Sequence, residues 1–332
     1  MKKFMNRADR IVAESLEGFV RAHEGSVVFG TGGRNIRRRE LRPGKVAIIS
    51  GGGAGHEPMH IGFVGPGMLD AACVGHIFTS ATPDQIHAAI VECDTGAGVL
   101  LVVKNYDGDV MNFEMAAEMA VASGHRVETV IVNDDIATHA APRSSGRRGV
   151  AGTLVVEKIV GAAAEAGMVL AGLKALGERT VAATRSMGVA VHGATVPASG
   201  RAAFTLSPEE MEVGVGIHGE PGRTRAAFEP ADRIADLLCT EILADLAAPA
   251  DAPVLLFVNG FGGTPASELY LMYGLARARM EQGGLRVARS LVGTYVTSLD
   301  MAGLSITVSL LDEQRLLLWD AQVATVALRW GA

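Results

Sequence analysis

The stretch that decides the fold runs Gly98-Val99-Leu100-Leu101-Val102-Val103, then Lys104-Asn105-Tyr106-Asp107-Gly108-Asp109, then Asn112 to Ser123 (NFEMAAEMAVAS), then Val127-Glu128-Thr129-Val130-Ile131-Val132. A short apolar β-type run, a polar loop, a helical run stopped by Gly124 and a second β-type run are the parts of a βαβ unit. Working outward, Val46-Ala47-Ile48-Ile49-Ser50 is a third such run, followed by Gly51 to His56, and Pro83 to Cys93 reads as a helix with Thr82 or Ser80 as its N-cap. Apolar strands alternating with helices predict a largely parallel sheet. In such sheets functional loops gather at the carboxyl ends of the strands. Gly51–His56, Lys104–Asp109 and Asn133–Asp135 each follow a strand directly, so one rim should carry all three.

Beyond this unit, Gly152 to Leu176 is rich in Ala, Val and Gly and reads as one long packed helix, with a second helical stretch from about Glu178 to Val191. The character then changes. Strands are expected at Gly200–Leu206 and Met211–Gly216, with helices at Ala231–Leu246 and Pro265–Gln282. Further strands are expected at Pro253–Asn259, Arg286–Val292 and Ser305–Leu310. A chain of 332 residues is long for one core, which favours two domains. The expected division lies near residue 185. Residues 1–185 form a three-layer α/β domain of βαβ type with a mixed or parallel sheet, and residues 186–332 form an α+β domain with a mixed sheet.

Composition narrows the function classes. Hydrophobic content of 48% with 20% charged residues predicts a packed globular protein. A net charge of −6 and only short basic runs, such as Arg37-Arg38-Arg39 and Arg147-Arg148, argue against a nucleic-acid surface. Cys73, Cys93 and Cys239 are odd in number and far apart, which points to a reducing compartment. The start of the chain has no apolar targeting core, and no run approaches the ~18 apolar residues of a membrane span. A cytoplasmic protein is expected, with no membrane contact.

Two histidines stand out. His218 is framed by glycines in Gly214-Val215-Gly216-Ile217-His218-Gly219-Glu220-Pro221-Gly222, and His56 closes Gly51-Gly52-Gly53-Ala54-Gly55-His56-Glu57-Pro58. Glycines let other groups approach closely, so the pair suggests two loops facing one site; the plainer alternative is two tight turns. The first loop is no Walker loop, lacking Gly-Lys-Ser/Thr, and no dinucleotide fingerprint, having Pro58 where a helix should open. It can still offer backbone N–H groups to an oxygen-rich ligand. His56 and His60 are four apart, but Pro58 disfavours the helix that would align them on zinc. Lys104 with Asp107 and Asp109 supplies the cation and carboxylates that proton transfer on a hydroxylated substrate would use, unless Asp107-Gly108 is only a turn. Asn133-Asp134-Asp135 is either a metal site or, more commonly for such a run, a cap for the segment that follows.

Six motifs occur in order: GGGAGHEP (51–58), KNYDGDVMNF (104–113), GRRGVAGT (146–153), EVGVGIHGEPG (212–222), VNGFGGTP (258–265) and TSLDMAGLS (297–305). On these, from about Phe4 onward, the chain resembles the substrate-binding subunit of the dihydroxyacetone (glycerone) kinases of glycerol metabolism. The resemblance implies that His218 bonds through Nε2 to the carbonyl carbon of the ketose as a hemiaminal. It implies that His56 contacts a hydroxyl and accepts a proton, and that Asp109 binds the hydroxyl to be phosphorylated and shares the base role. Gly53, Ala54, Gly55 and Lys104 complete the pocket. It further implies a homodimer and a separate, all-helical subunit carrying ATP or ADP with Mg²⁺. No cofactor or metal is expected on this chain, in which we find no Walker loop and no kinase signature set. The run Gly75-His76-Ile77-Phe78-Thr79-Ser80-Ala81 and the segment Thr138 to Ser145 depart from the common pattern. With His76 and Thr79 expected near the substrate, a larger ketose such as erythrulose is a second reading, and a non-catalytic triose sensor a third.

Overall fold

The structure, a computed structural model, describes residues 2–138 and 146–331. After helix α1 (Ile11–Ala22), strands β1 (Val27–Phe29), β2 (Asn35–Arg38), β3 (Ala47–Ala54), β4 (Ala71–Ile77), β5 (Val99–Lys104) and β6 (Val127–Val132) form one sheet in the order β1-β2-β4-β3-β5-β6. The four strands from β4 to β6 are parallel, and β1 and β2 extend the sheet antiparallel. Helices α2 (Pro83–Cys93) and α3 (Asp107–Ala122) cover one face, where Ile49, Leu101 and Val103 meet Ile86, Ile90 and Phe113. Helices α4 (Gly152–Glu165) and α5 (Leu170–Ala182) cover the other, where Ile48, Leu100 and Val102 meet Val155, Ile159 and Leu173.

The second sheet uses β7 (Thr184–His192), β10 (Glu210–Val213), β11 (Thr224–Ala227), β12 (Pro253–Gly260), β13 (Arg286–Gly293) and β14 (Ala302–Leu310) in the order β11-β10-β7-β14-β12-β13. Only β12 and β13 pair in parallel. Short strands β8 (Thr195–Val196) and β9 (Arg201–Ala202) make a side hairpin, and β15 (Val323–Ala324) and β16 (Arg329–Trp330) another after helix α8 (Glu313–Asp320). Helices α6 (Ala231–Leu246) and α7 (Ala266–Gln282) pack on one face of this sheet. Its other face, through Leu255, Phe257 and Phe261, joins the core around α4. Every residue of α4 from Gly152 to Ala164 is therefore buried, with a sheet on either side.

Four expectations of element bounds need correction, the first at Gly200–Leu206, where only Arg201–Ala202 is strand. The long helix expected over Gly152–Leu176 is two helices, because Gly167 takes the left-handed conformation (φ +86) that stops α4. The helix expected to reach Val191 ends at Ala182, and Thr184–His192 is the strand β7, held between β10 and β14. The β-branched and small residues of that run follow tertiary burial rather than the helical period preceding them. The helix expected from Asn112 begins instead at Asp107, because two carboxylates in a first turn suit the positive end of a helix. The expected boundary near 185 falls at the start of β7.

Candidate functional site

In the first sheet the chain passes from β3 to β4 on one side and then returns through α2 to β5 on the other. The carboxyl ends of β3 and β5 are thus a topological switch point, the usual crevice for a ligand in such folds. The glycine run expected as a loop after β3 is mostly strand, since β3 continues to Ala54 with a register shift between Gly52 and Ala54. Lys104 ends β5, and Asp109 sits in the first turn of α3 rather than in a loop. Their side chains are 3.4 Å apart, Lys104 Nζ to Asp109 Oδ2. Gly52 makes room for this pair. A Cβ there would stand 2.5 Å from Lys104 Nζ and 3.2 Å from Asp109 Oδ2, so no other residue leaves the cation in place.

The second half of the chain brings the histidines together. His56 lies just past β3, and its Nδ1 is 2.8 Å from the carbonyl oxygen of Thr297, in the loop before β14. His218 lies on the loop joining the antiparallel strands β10 and β11, so the hairpin projects it towards the first sheet. Arg148 fixes that loop: it donates to the Gly214 carbonyl and to Glu220 Oε1, each at 2.8 Å, and to Asp135 Oδ2. Gly216 clears the space, for a Cβ would fall 2.7 Å from Arg148 Nη1. The Asn133–Asp135 run is thereby explained. Asp134 accepts from the backbone N–H groups of Val150 (2.8 Å) and Gly152 (2.7 Å) at the start of α4, and Asp135 holds Arg148. Among the described residues no group of His, Cys, Asp and Glu is arranged to hold a metal.

His56 Nε2 and His218 Nε2 face each other at 3.3 Å. The Thr297 carbonyl can only accept, so the His56 hydrogen is on Nδ1 and its Nε2 presents a lone pair. His218 then carries its hydrogen on Nε2, and its Nδ1 has no hydrogen-bond partner among the described residues. Burial holds both rings neutral: it takes the His56 pKa down to about 3, with the nearby Lys104 charge adding to the effect. His218 is also held well below the ordinary imidazole value, by burial first and then by His56, Lys104 and Arg148. Two neutral imidazoles with a proton shared between facing nitrogens can supply a nucleophile and its base.

His218 and Asp109 line an open cleft of about 780 Å³ with Phe78, Tyr106, Arg148 and Glu220. His56 and Lys104 lie behind it, both with no exposed surface. Gly53, Ala54 and Gly55 are buried at the back: a Cβ on Gly53 would meet the Phe78–Thr79 backbone, and Gly55 is tied by its carbonyl to Leu299 N at 2.8 Å. His76 is exposed beside Arg34, and neither it nor Thr79 is among the residues that line the cleft. Residues 139–145 of the other divergent segment lie outside the described residues. Sequence reasoning missed Tyr106, whose ring centroid is 3.9 Å from that of His218, and Phe78, which packs 5.4 Å from His56. Tyr106 sits inside a quoted motif and was findable there. Phe78 sits in the quoted divergent run, but its place against His56 depends on a left-handed backbone (φ 54) just past β4 that the run does not signal.

A buried imidazole pair set over a carboxylate and a lysine, at the meeting of two sheets, is an arrangement able to move protons on a small polar ligand. Comparison with known proteins gives the family. Residues 17–327 match the Dak1 domain, and the chain belongs to that family. It is 49% identical to the dihydroxyacetone-binding subunit DhaK of a PTS-dependent dihydroxyacetone kinase of Listeria innocua, over 95% of this chain and 96% of that one. It is 43% identical to the dihydroxyacetone-binding subunit DhaK of the PEP-dependent kinase of Escherichia coli, over the full length of both. Among solved structures, a dihydroxyacetone kinase operon co-activator, DhaQ, superposes with a TM-score of 0.91 at 32% identity, covering 95% of this chain and 97% of that one.

Proposed function

We propose that this protein is the substrate-binding subunit of a dihydroxyacetone kinase, a phosphotransferase that captures its ketose on His218. The facing Nε2 atoms of His56 and His218 carry this reading. When the ketone enters, His218 Nε2 forms a bond to the carbonyl carbon as its hydrogen passes to His56 Nε2, and His56 hands that proton on to the carbonyl oxygen, which becomes a hydroxyl and leaves His56 neutral again. The product is a tetrahedral hemiaminal whose orientation is fixed. A polyol such as glycerol has no carbonyl and is refused, a discrimination that pocket size alone cannot supply. Asp109, facing the cleft beside Lys104, receives the proton of the hydroxyl that attacks phosphorus, with His56 as the second acceptor. Gly53 contacts a remaining oxygen, and Lys104 completes the pocket from behind Asp109. In this reading residues 1–185 are the unit that carries Asp109, and residues 186–332 the unit that carries His218.

The cleft is larger than a three-carbon ketone requires, which leaves room for a phosphoryl donor on a separate helical nucleotide-binding subunit with its ATP or ADP and Mg²⁺. No described helix is long and apolar enough to cross a membrane, in keeping with a cytoplasmic subunit, and we take it to be a homodimer. The expected result is that the chain alone makes no phosphorylated dihydroxyacetone from ATP, while addition of the helical subunit starts turnover. Phosphorylation by the chain alone, free of any other subunit, would refute the two-subunit reading. The likeness to a co-activator favours one further reading, a triose sensor. Asp109 at the cleft, with Lys104 held against it from behind, argues for the kinase, because neither side chain forms the bond to the ketone carbon. Arg148 gives a check on the loop. Arg148→Met removes charge-assisted bonds to Glu220 and Gly214, and ketone affinity should fall roughly 10–100-fold while the protein still folds. Titration with dihydroxyacetone measures it.

A further inference from the structure

Behind the cleft, Lys104 is held by buried polar groups that the reaction above does not use. Its Nζ donates to the Gly51 carbonyl at 2.8 Å and to His60 Nε2 at 2.9 Å. His60 Nδ1 is in turn 2.6 Å from Glu157 Oε1, in the middle of α4. Lys104 and Glu157 have no exposed surface and His60 has 4%. Around Glu157, α4 is otherwise built mainly of Val, Leu, Ile, Ala and Gly, so an apolar residue would suit its surroundings better than a carboxyl group that costs free energy to bury. A lysine ammonium has three hydrogens and no acceptor. His60 Nε2 must therefore accept, the His60 hydrogen is on Nδ1, and Glu157 Oε1 receives it, in whichever protonation state the carboxyl stands.

We propose that Glu157 and His60 are positioning residues for Lys104: Glu157 fixes the ring hydrogen of His60 on Nδ1, and the lone pair so presented pins the ammonium beside Asp109 and under the two site histidines. The inference deepens the ketose-kinase reading and rests on it. With the opposite tautomer His60 would point an N–H at the ammonium and push it away. The placed cation has a consequence for the imidazoles. His56 contacts His218 and the Thr297 carbonyl and lies within the fields of Lys104 and His60, while His218 contacts His56 and the Tyr106 ring and lies within those of Lys104 and Arg148. Asp109 from α3 and Glu157 from α4 face the lysine and His60 from the other sides, and Arg148 is itself paired with Asp135 and Glu220. Withdrawal of Nζ removes a positive neighbour from both imidazoles, so each would take a proton at higher pH, and capture of the ketone would fail earlier on acidification.

The test follows ketone adduct formation against pH, by mass spectrometry of the whole protein, in wild type, Glu157→Leu and Glu157→Gln, with circular dichroism and melting as fold controls. Glu157→Leu, which leaves His60 Nδ1–H without an acceptor, should move the acid limb up by about one pH unit, with capture recovered at higher pH. Glu157→Gln keeps an oxygen for the His60 hydrogen and should restore the wild-type limb. A folded Glu157→Leu whose limb coincides with wild type, or equal losses in both variants at every pH, would overturn the proposal. Should Glu157→Leu not fold, ¹⁵N NMR of the His60 ring in the wild-type protein decides: hydrogen on Nδ1 supports the chain, and hydrogen on Nε2 refutes it. A wild-type protein that formed no adduct would sink the ketose reading instead, and the ring tautomer, read without substrate, would still judge this one.

Discussion

His218→Ala leaves a folded protein that no longer forms an adduct with dihydroxyacetone. The loop that carries His218 is held from outside the ring, by Arg148 on Gly214 and Glu220 and by the pairing of β10 with β11, so truncating the side chain removes no anchor. Two other neutral imidazoles lie close by, but neither can substitute. His56 has its Nδ1 committed to Thr297 and lies behind His218, and His60 is committed to Glu157 and Lys104. The change should abolish capture, to roughly a thousandth of the wild-type level or less, because the two other imidazoles are committed and the Lys104 ammonium, engaged by Gly51 and His60, offers no lone pair to the ketone. Mass spectrometry of the intact protein under native conditions reads this, with circular dichroism and melting to check the fold. An adduct of wild-type stability on the variant would remove His218 from the role given to it.

Asp109→Asn separates capture from phosphoryl transfer. The substitution keeps shape and one hydrogen-bond acceptor beside Lys104 but cannot take the proton of the attacking hydroxyl. Turnover with the partner subunit should fall by ~10²–10⁴-fold, the usual size of a lost general base, while adduct formation on His218 stays near wild type. His56→Ala behaves differently. It removes the acceptor of the His218 hydrogen as well as the second base, so both capture and turnover should suffer. The two variants together, each measured for adduct and for product, distinguish the steps. Wild-type turnover by Asp109→Asn would make Asp109 a first-turn helix residue only, and would leave His56 to carry the proton alone.

Much of the fold could be read from runs whose local preference agrees with their tertiary place. β5 is a Val and Leu run buried on both faces, β3 opens on a buried Ala-Ile-Ile run and the edge strand β6 carries Val and Ile, so all three read as strands at once. β4 did not, because Ala71-Ala72-Cys73-Val74-Gly75 has little strand propensity of its own and is made a strand by β2 and β3 on either side. β7 was mistaken for helix for the same reason in reverse, a regular helical period before it masking a buried strand. At the site, His56, Lys104, Asp109 and His218 were legible because glycine frames and strand ends mark them in the sequence. Thr297 fixes the tautomer of His56 from 241 residues away. Glu157 reaches His60 from the interior of a helix. Such partners are set by how two sheets close on α4, and no local pattern records that. His76 failed in the opposite sense: near the site in sequence, it turns out to solvent beside Arg34.

A covalent bond between His218 Nε2 and the ketone carbon is visible to NMR of the wild-type protein, with ¹⁵N-labelled histidine, mixed with dihydroxyacetone carrying ¹³C at its carbonyl. The bound carbonyl signal should leave the ketone range for that of a tetrahedral carbon and couple to a single histidine nitrogen, with both features absent in His218→Ala. A bound ketone that keeps its carbonyl shift, or a tetrahedral carbon coupled to no histidine, would contradict it.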